Sequence, residues 1–204
     1  RLAWAGVVVL LVASIAGLVV QRELGRRPFL ALELIDMDRD DGNLRRQLPA
    51  VRIGQRLPPA LTELLEEIER LDRRNTDRLK EIVAEYGWPG RTLVGHRGSS
   101  AAWLLVQHAR HDRAFQRRAL GLMQDAGPDE VDPHDVAYLT DDLLVGENRP
   151  QEYGTKFACR NGELVLVGRV RDRAHVDQRR ARAGLETLEE NRRRLIRRDG
   201  ACPP

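Results

Sequence analysis

Polarity along the chain falls into two regimes. Leu2 to Val20 is apolar throughout, with no ionisable side chain and Ser14 as its most polar residue. About 20 such residues are what a helix needs to cross the hydrocarbon core of a bilayer, so the pattern predicts a transmembrane or signal-anchor helix over residues 1–22. A buried core helix is the competing structure, but one apolar on every face needs protein on every side, which a domain this small rarely supplies. Ser14-Ile15-Ala16 also sets small residues at the separation of a processing site, which leaves a cleaved leader as an alternative.

Past residue 22 apolar positions recur at helical intervals. Residues 23–33 are juxtamembrane, and within Phe29 to Leu48 the side chains Leu30, Leu34, Met37 and Leu44 predict a helix with Gly42 as its weak point. Pro58-Pro59 suits the first turn of the next helix. Its stripe runs through Leu61, Leu64, Leu65, Ile68 and Leu71 and resumes at Leu79, Ile82 and Val83. The polar stretch Asp72 to Asp77 is either the exposed face of one long helix or a break capped at Asn75 or Thr76.

Gly87 and Pro89 end that helix, because glycine accepts a left-handed cap and proline forbids resumption. Gly95, Gly98, Ser99 and Ser100 extend the loop to an N-cap, from which a helix covers Ala101 to Arg110. Asp112 caps a helix over Arg113 to Met123, and Asp132-Pro133 starts another that lasts to about Val145. After Pro150 the period changes. Tyr153 to Cys159 and Glu163 to Val167 flank Asn161-Gly162, a strong short-range hairpin signal. Helix returns near Ala174, breaks near Gly184 and ends in a basic segment through Leu195.

The predicted fold is therefore mainly α: an N-terminal transmembrane helix, then a compact helical domain over 34–191 carrying one small β-hairpin, then a basic end at 192–204. Composition agrees. Of 204 residues 32% are charged and only 4% aromatic, so the core rests on Leu, Val, Ile and Ala. Trp88 and Trp103 are its natural anchors. The charge is mild and mixed, 34 Lys+Arg against 31 Asp+Glu for a net +3, which does not build a surface for polyanions. Nucleic acid is not an expected partner; the membrane, through residues 2–20, is.

Sidedness stays open. Arg22, Arg26 and Arg27 behind the apolar run favour a cytoplasmic domain by the positive-inside rule, and basic residues ahead of Arg1 would reverse that. Cys159 and Cys202 pair in an oxidising compartment and remain free in a reducing one. Arg192-Arg193-Arg194 and Arg197-Arg198 would meet anionic lipid headgroups if they face the cytoplasmic leaflet.

Several short motifs occur in a distinctive order. Asn75, Leu79-Lys80, Gly87-Trp88-Pro89-Gly90, Leu93-Val94-Gly95, Ala102-Trp103 through Gln107-His108-Ala109, Phe115-Gln116, Ala137-Tyr138-Leu139-Thr140-Asp141 and Gln151-Glu152-Tyr153-Gly154-Thr155 follow one another. Together they resemble an uncharacterised, largely actinobacterial domain family, over roughly Leu34 to Asn191. The resemblance implies no activity. Two positions depart from the pattern: Asp142 stands where the family usually has Arg, and Lys156 where it usually has Gln. If these two side chains are neighbours, the exchange preserves local charge balance.

Candidate chemistry centres on His108, because an imidazole titrates where modest burial tunes it for base or donor work. His111 follows one turn on, but without the Glu of metallopeptidases the pair is a weak metal signal, so no metal and no cofactor is expected. Gln151, Tyr153 and Thr155 alternate on a predicted strand and would share one face. With His108 and Asp141 they would make a polar site in which His108, Asp141, Tyr153 and Thr155 are the catalytic candidates. Gln107, Gln151, Lys156 and Arg180 are the ligand-binding candidates for a small polar ligand. No Gly-x-Ser-x-Gly elbow or phosphate loop is present, so serine acyl transfer and nucleotide hydrolysis lack support. Two classes remain: a membrane-anchored binding or structural module, which stands first, and a hydrolase- or lyase-type enzyme.

Overall fold

The computed structural model describes residues 24–49, 58–199 and 202. The predicted anchor Leu2 to Val20 lies outside them, as does most of the connector before Pro58. Among the described residues no helix is long and apolar enough to cross a membrane. The chain divides into two compact units, residues 1–115 and 116–204, and the described residues hold seven α-helices and one two-stranded sheet.

The first unit is built on α1 (Pro28–Arg45), α2 (Pro59–Tyr86) and α3 (Arg91–His108), with α1 packed against both others. Leu30, Ala31 and Leu34 of α1 meet a core to which α2 gives Leu61, Ile68, Leu79, Ile82 and Val83. Helix α2 is unbroken. Asn75 and Thr76 do not cap a new helix: both are buried within the apolar stripe, and the Thr76 hydroxyl donates back to the Asp72 carbonyl at 2.7 Å. Gly87 ends the helix at φ 73, as its position before Trp88-Pro89 predicts.

Helix α3 departs from expectation. It begins at Arg91 rather than Ala101, with Gly95 at φ 70 and ψ 178 as a kink inside it. Glycine and serine lower helix propensity, but the helix forms through them. A Cβ on Gly98 would stand 2.8 Å from the Val94 Cβ of the same helix and 3.4 Å from the Ala31 Cα, so α1 passes in van der Waals contact with α3 at this glycine. Just ahead of α1, Arg26 and Arg27 donate backbone bonds to the Thr92 and Leu93 carbonyls at 3.0 and 2.8 Å. Gly25, at φ +66, lies so close to Gly95 that an added Cβ would be 2.5 Å from its nitrogen. The segment ahead of α1 is thus strapped onto the start of α3.

Helix α4 (Arg113–Ala126) spans the division between the units and starts at Asp112, whose carboxylate accepts the Phe115 N–H at 2.9 Å. In the second unit α5 (Pro133–Gly146) starts as predicted, the Asp132 carboxylate accepting from His134 N at 3.0 Å. Strands β1 (Phe157–Arg160) and β2 (Glu163–Leu166) pair antiparallel, with Phe157 opposite Leu166. Asn161 and Gly162 turn between them at φ 50 and 78, the double positive that matches strand twist. A 3-10 turn at Arg173–His175 leads into α6 (Val176–Arg182), which packs on α7 (Leu188–Asp199). Cys159 and Cys202 are disulfide-bonded, tying β1 to the C-terminal end.

The expected strand over Gln151, Tyr153 and Thr155 does not form. Gln151 makes one isolated parallel bridge to Val170, and the chain then turns through Gly154 at φ +67. The reason is a carboxylate: the backbone of 152–155 wraps around Asp141 instead of extending.

Candidate functional site

In the first unit the three helices bring together residues far apart in sequence. Asp41 of α1 is 1% exposed, on the same face as Leu30 and Leu34. Asp72 lies on the buried stripe of α2, and His108 is the last residue of α3. The His108 Nδ1 stands 2.9 Å from Asp41 Oδ2, yet off the line of a hydrogen bond, so this buried nitrogen has no hydrogen-bond partner. Arg45, one turn after Asp41, places Nε at 2.9 and 3.1 Å from the two Asp41 oxygens and pairs through its Nη2 with Asp72. Ligand atoms of Asp41, Asp72 and His108 all lie within 4.8 Å of one another.

The two carboxyls are tuned in opposite directions. Burial pushes the Asp41 carboxyl up, but the His108 ring and the Arg45 guanidinium together outweigh it and hold the group below the ordinary carboxylate range. At Asp72 burial prevails over the pull of Arg45 and His108, and the carboxyl lies above that range. Asp38, one turn before Asp41, is raised by burial and by the Asp41 charge. One acid held ionised beside others more easily protonated is the kind of separation that functional sites exploit. The cluster is not sealed: Arg45, Asp72 and His108, with Glu69, Arg110 and His111, line a cavity of about 330 Å³. Gln107 is half-buried one residue before His108.

Sequence reasoning does not single out Asp41, Asp72 or Arg45, although a signal for the two acids exists. Asp41 continues the spacing of Leu30, Leu34 and Met37, and Asp72 lies between Ile68 and Leu79 on the stripe of α2, so each puts a charge where a helix of this kind buries an apolar side chain.

The second unit gathers the remaining candidates. Asp141 is 0% exposed and accepts from Glu152 N at 2.7 Å, Tyr153 N at 3.1 Å, Thr155 N at 2.8 Å and the Thr155 hydroxyl at 3.0 Å. Gln151 is spent in the same way. Its amide donates to the Lys156 and Val167 carbonyls at 3.1 and 2.7 Å and its oxygen accepts from Lys156 N at 2.8 Å. These groups hold one another, and the loop, in place. Tyr153 is half-buried and lines a cavity of about 480 Å³ with Glu152, Arg171 and Arg179. Burial, with the Glu152 and Asp141 charges, pushes its phenol up.

Lys156 Nζ lies 3.0 Å from Asp142 Oδ1. The two side chains are therefore neighbours, and Lys156 balances the Asp142 charge beside the buried Asp141. Arg180 is fully buried and reaches the Tyr153 carbonyl at 2.8 Å. Six of the eight candidates, Asp141, Gln151, Tyr153, Thr155, Lys156 and Arg180, thus belong to the second unit. Gln107 and His108 belong to the first, where the carboxylate that meets His108 is Asp41.

A family model described as "Family of unknown function (DUF6624)" matches residues 28–201. The chain belongs to this family. The match starts at the first residue of α1 and runs past α7, so it takes in both units and both polar networks. DUF6624 carries no assigned activity in its description, and no curated protein and no solved structure matches the chain.

Proposed function

We propose that this DUF6624 chain is a membrane-tethered binding module whose first unit takes a divalent cation between Asp41, Asp72 and His108. The observation that carries the reading is the approach of His108 Nδ1 to Asp41 Oδ2 at 2.9 Å without hydrogen-bond alignment. Two ligand-type atoms this close, out of hydrogen-bond alignment, are spaced as neighbouring ligands of one ion, whose octahedral shell has edges of about 3 Å when its bonds are about 2.1 Å. Two carboxylates and an imidazole suit zinc or manganese. Arg45 neutralises both carboxylates meanwhile; at 27% side-chain exposure it has a route outward when a cation takes its place. The sequence looked to His111 for a second metal ligand and so expected none.

The purified full-length chain in detergent is the material for the test. Zinc or manganese at about 100 times its Kd should stabilise the fold by about 2.7 kcal/mol, seen as a raised melting temperature. Asp72→Asn and His108→Ala should abolish the rise. No rise in the wild type, or an equal one in His108→Ala, would sink the proposal. The enzyme alternative narrows on the same ground. Asp141 and Thr155 are engaged with each other, so a hydrolytic reading now rests on a cation-bound water next to the cavity that Arg110 and His111 line.

The tether is residues 2–20, in a single-pass arrangement in a bacterial cell membrane. Phe29 at 86% and Leu32 at 45% exposure present apolar surface just past that run, beside Arg26 and Arg27, the mix of side chains found at a membrane interface. The Cys159–Cys202 bond supports an oxidising compartment for the domain, against the sidedness that Arg22, Arg26 and Arg27 favour. Maleimide labelling of intact cells checks this: modification is expected only after reduction, and two freely reactive thiols without reductant would place the domain inside.

A further inference from the structure

A buried arginine ordinarily meets a carboxylate, because an uncompensated charge out of water is heavily penalised. Arg180 of α6 is 0% exposed and meets carbonyls alone. Its Nε donates to the Glu186 carbonyl at 2.7 Å and its Nη1 to those of Tyr153 and Gly154 at 2.8 and 3.4 Å. Nη2 has no hydrogen-bond partner. Burial pulls the guanidinium below the ordinary arginine range, with Asp177, Glu186 and Asp141 acting on its charge without bonding to it.

A second residue is in the same condition. Asn191 of α7 is also 0% exposed; its oxygen accepts from Arg194 at 2.6 Å, while Nδ2 has no partner. Both residues line one cavity of about 320 Å³, together with His134, Glu186 and Arg194. Glu186 is occupied by Arg194, whose Nε lies 2.5 Å from its carboxylate. Two residues that line one small cavity, each keeping a buried and unused N–H donor, are complementary to an oxyanion. The nearby acids limit how much negative charge it tolerates, and Nε and Nη1 are already committed, which leaves no guanidinium fork for a phosphate.

We propose that this cavity, independent of the cation site in the first unit, binds the carboxylate of a small organic acid, one oxygen on Arg180 Nη2 and the other on Asn191 Nδ2. The volume is at the small end for ligand pockets and suits an acid of a few carbon atoms. The site also accounts for a buried arginine that the fold itself leaves without a bonded carboxylate.

The test follows thermal unfolding of the full-length chain against sodium propionate, with sodium phosphate and sodium chloride as parallel arms at equal ionic strength. Propionate should raise the melting temperature saturably and chloride should not. Replacing Arg180 would remove three carbonyl contacts and risk the fold, so the informative variant is Asn191→Asp. It keeps the oxygen that holds Arg194 and puts an anionic oxygen where the free amide stands, and should weaken propionate binding roughly tenfold or more. An equal response in Asn191→Asp, no saturable response in the wild type, or saturation by phosphate without propionate would each overturn the proposal.

Discussion

Asp141→Ala is expected to cost about 4 kcal/mol and to lower the melting temperature by on the order of 10 °C. The carboxylate is fully buried and takes three backbone N–H groups and a hydroxyl from residues 152–155. Removing it leaves those donors inside the protein without an acceptor, and an orphaned donor loses its full solvation. The consequence is local before it is global. Amide hydrogen exchange at Glu152, Tyr153 and Thr155 should accelerate well ahead of exchange in α2, which has no bond to Asp141. Asp141→Asn should lose less, because Oδ1 can keep the Glu152 and Tyr153 amides while the new NH₂ faces the two Thr155 donors. An Asp141→Ala protein as stable as wild type to urea would show that the loop holds itself.

Trp88→Ala should lose about 3 kcal/mol, through the core volume removed. Trp88 is 8% exposed and sits between the end of α2 and the start of α3, but its indole N–H is buried without an acceptor. That detail sets the variants apart. Trp88→Phe keeps most of the ring and removes the unsatisfied donor, so it should fall within about 1 kcal/mol of wild type. Urea unfolding of both variants decides the matter; if Phe were as damaging as Ala, the N–H would have to be bonded and the core assignment revised.

Local chemistry is legible wherever it is redundant. The α5 start at Asp132-Pro133 joins a polar cap to a proline, the Asn161-Gly162 turn sets two residues tolerant of positive φ side by side, the stop at Gly87 joins a glycine to a following proline, and each is present. Helix α3 runs against the sequence pattern because Gly95, Gly98, Ser99 and Ser100 look like a loop to propensity, whereas Gly95 is only a kink inside the helix and Gly98 and Ser99 are buried in its packed face. Propensity is a weak prior, and packing overrides it. The expected row of Gln151, Tyr153 and Thr155 fails differently: alternation counts side chains, but a buried carboxylate next to the segment offers its N–H groups a better acceptor than a neighbouring strand.

An α-rich domain behind an apolar run, most of its helix starts and its hairpin can all be read from the chain alone, because they rest on contacts a few residues long. His108 and the Asp142 and Lys156 positions are likewise visible there as places to look. What those side chains meet is a matter of packing. Asp41 and Asp72 reach His108 only because α1, α2 and α3 pack together, and Lys156 reaches Asp142 because the loop turns around Asp141. A helical period shows that a charge lies on a buried face; only the crossing of helices shows which charge lies opposite.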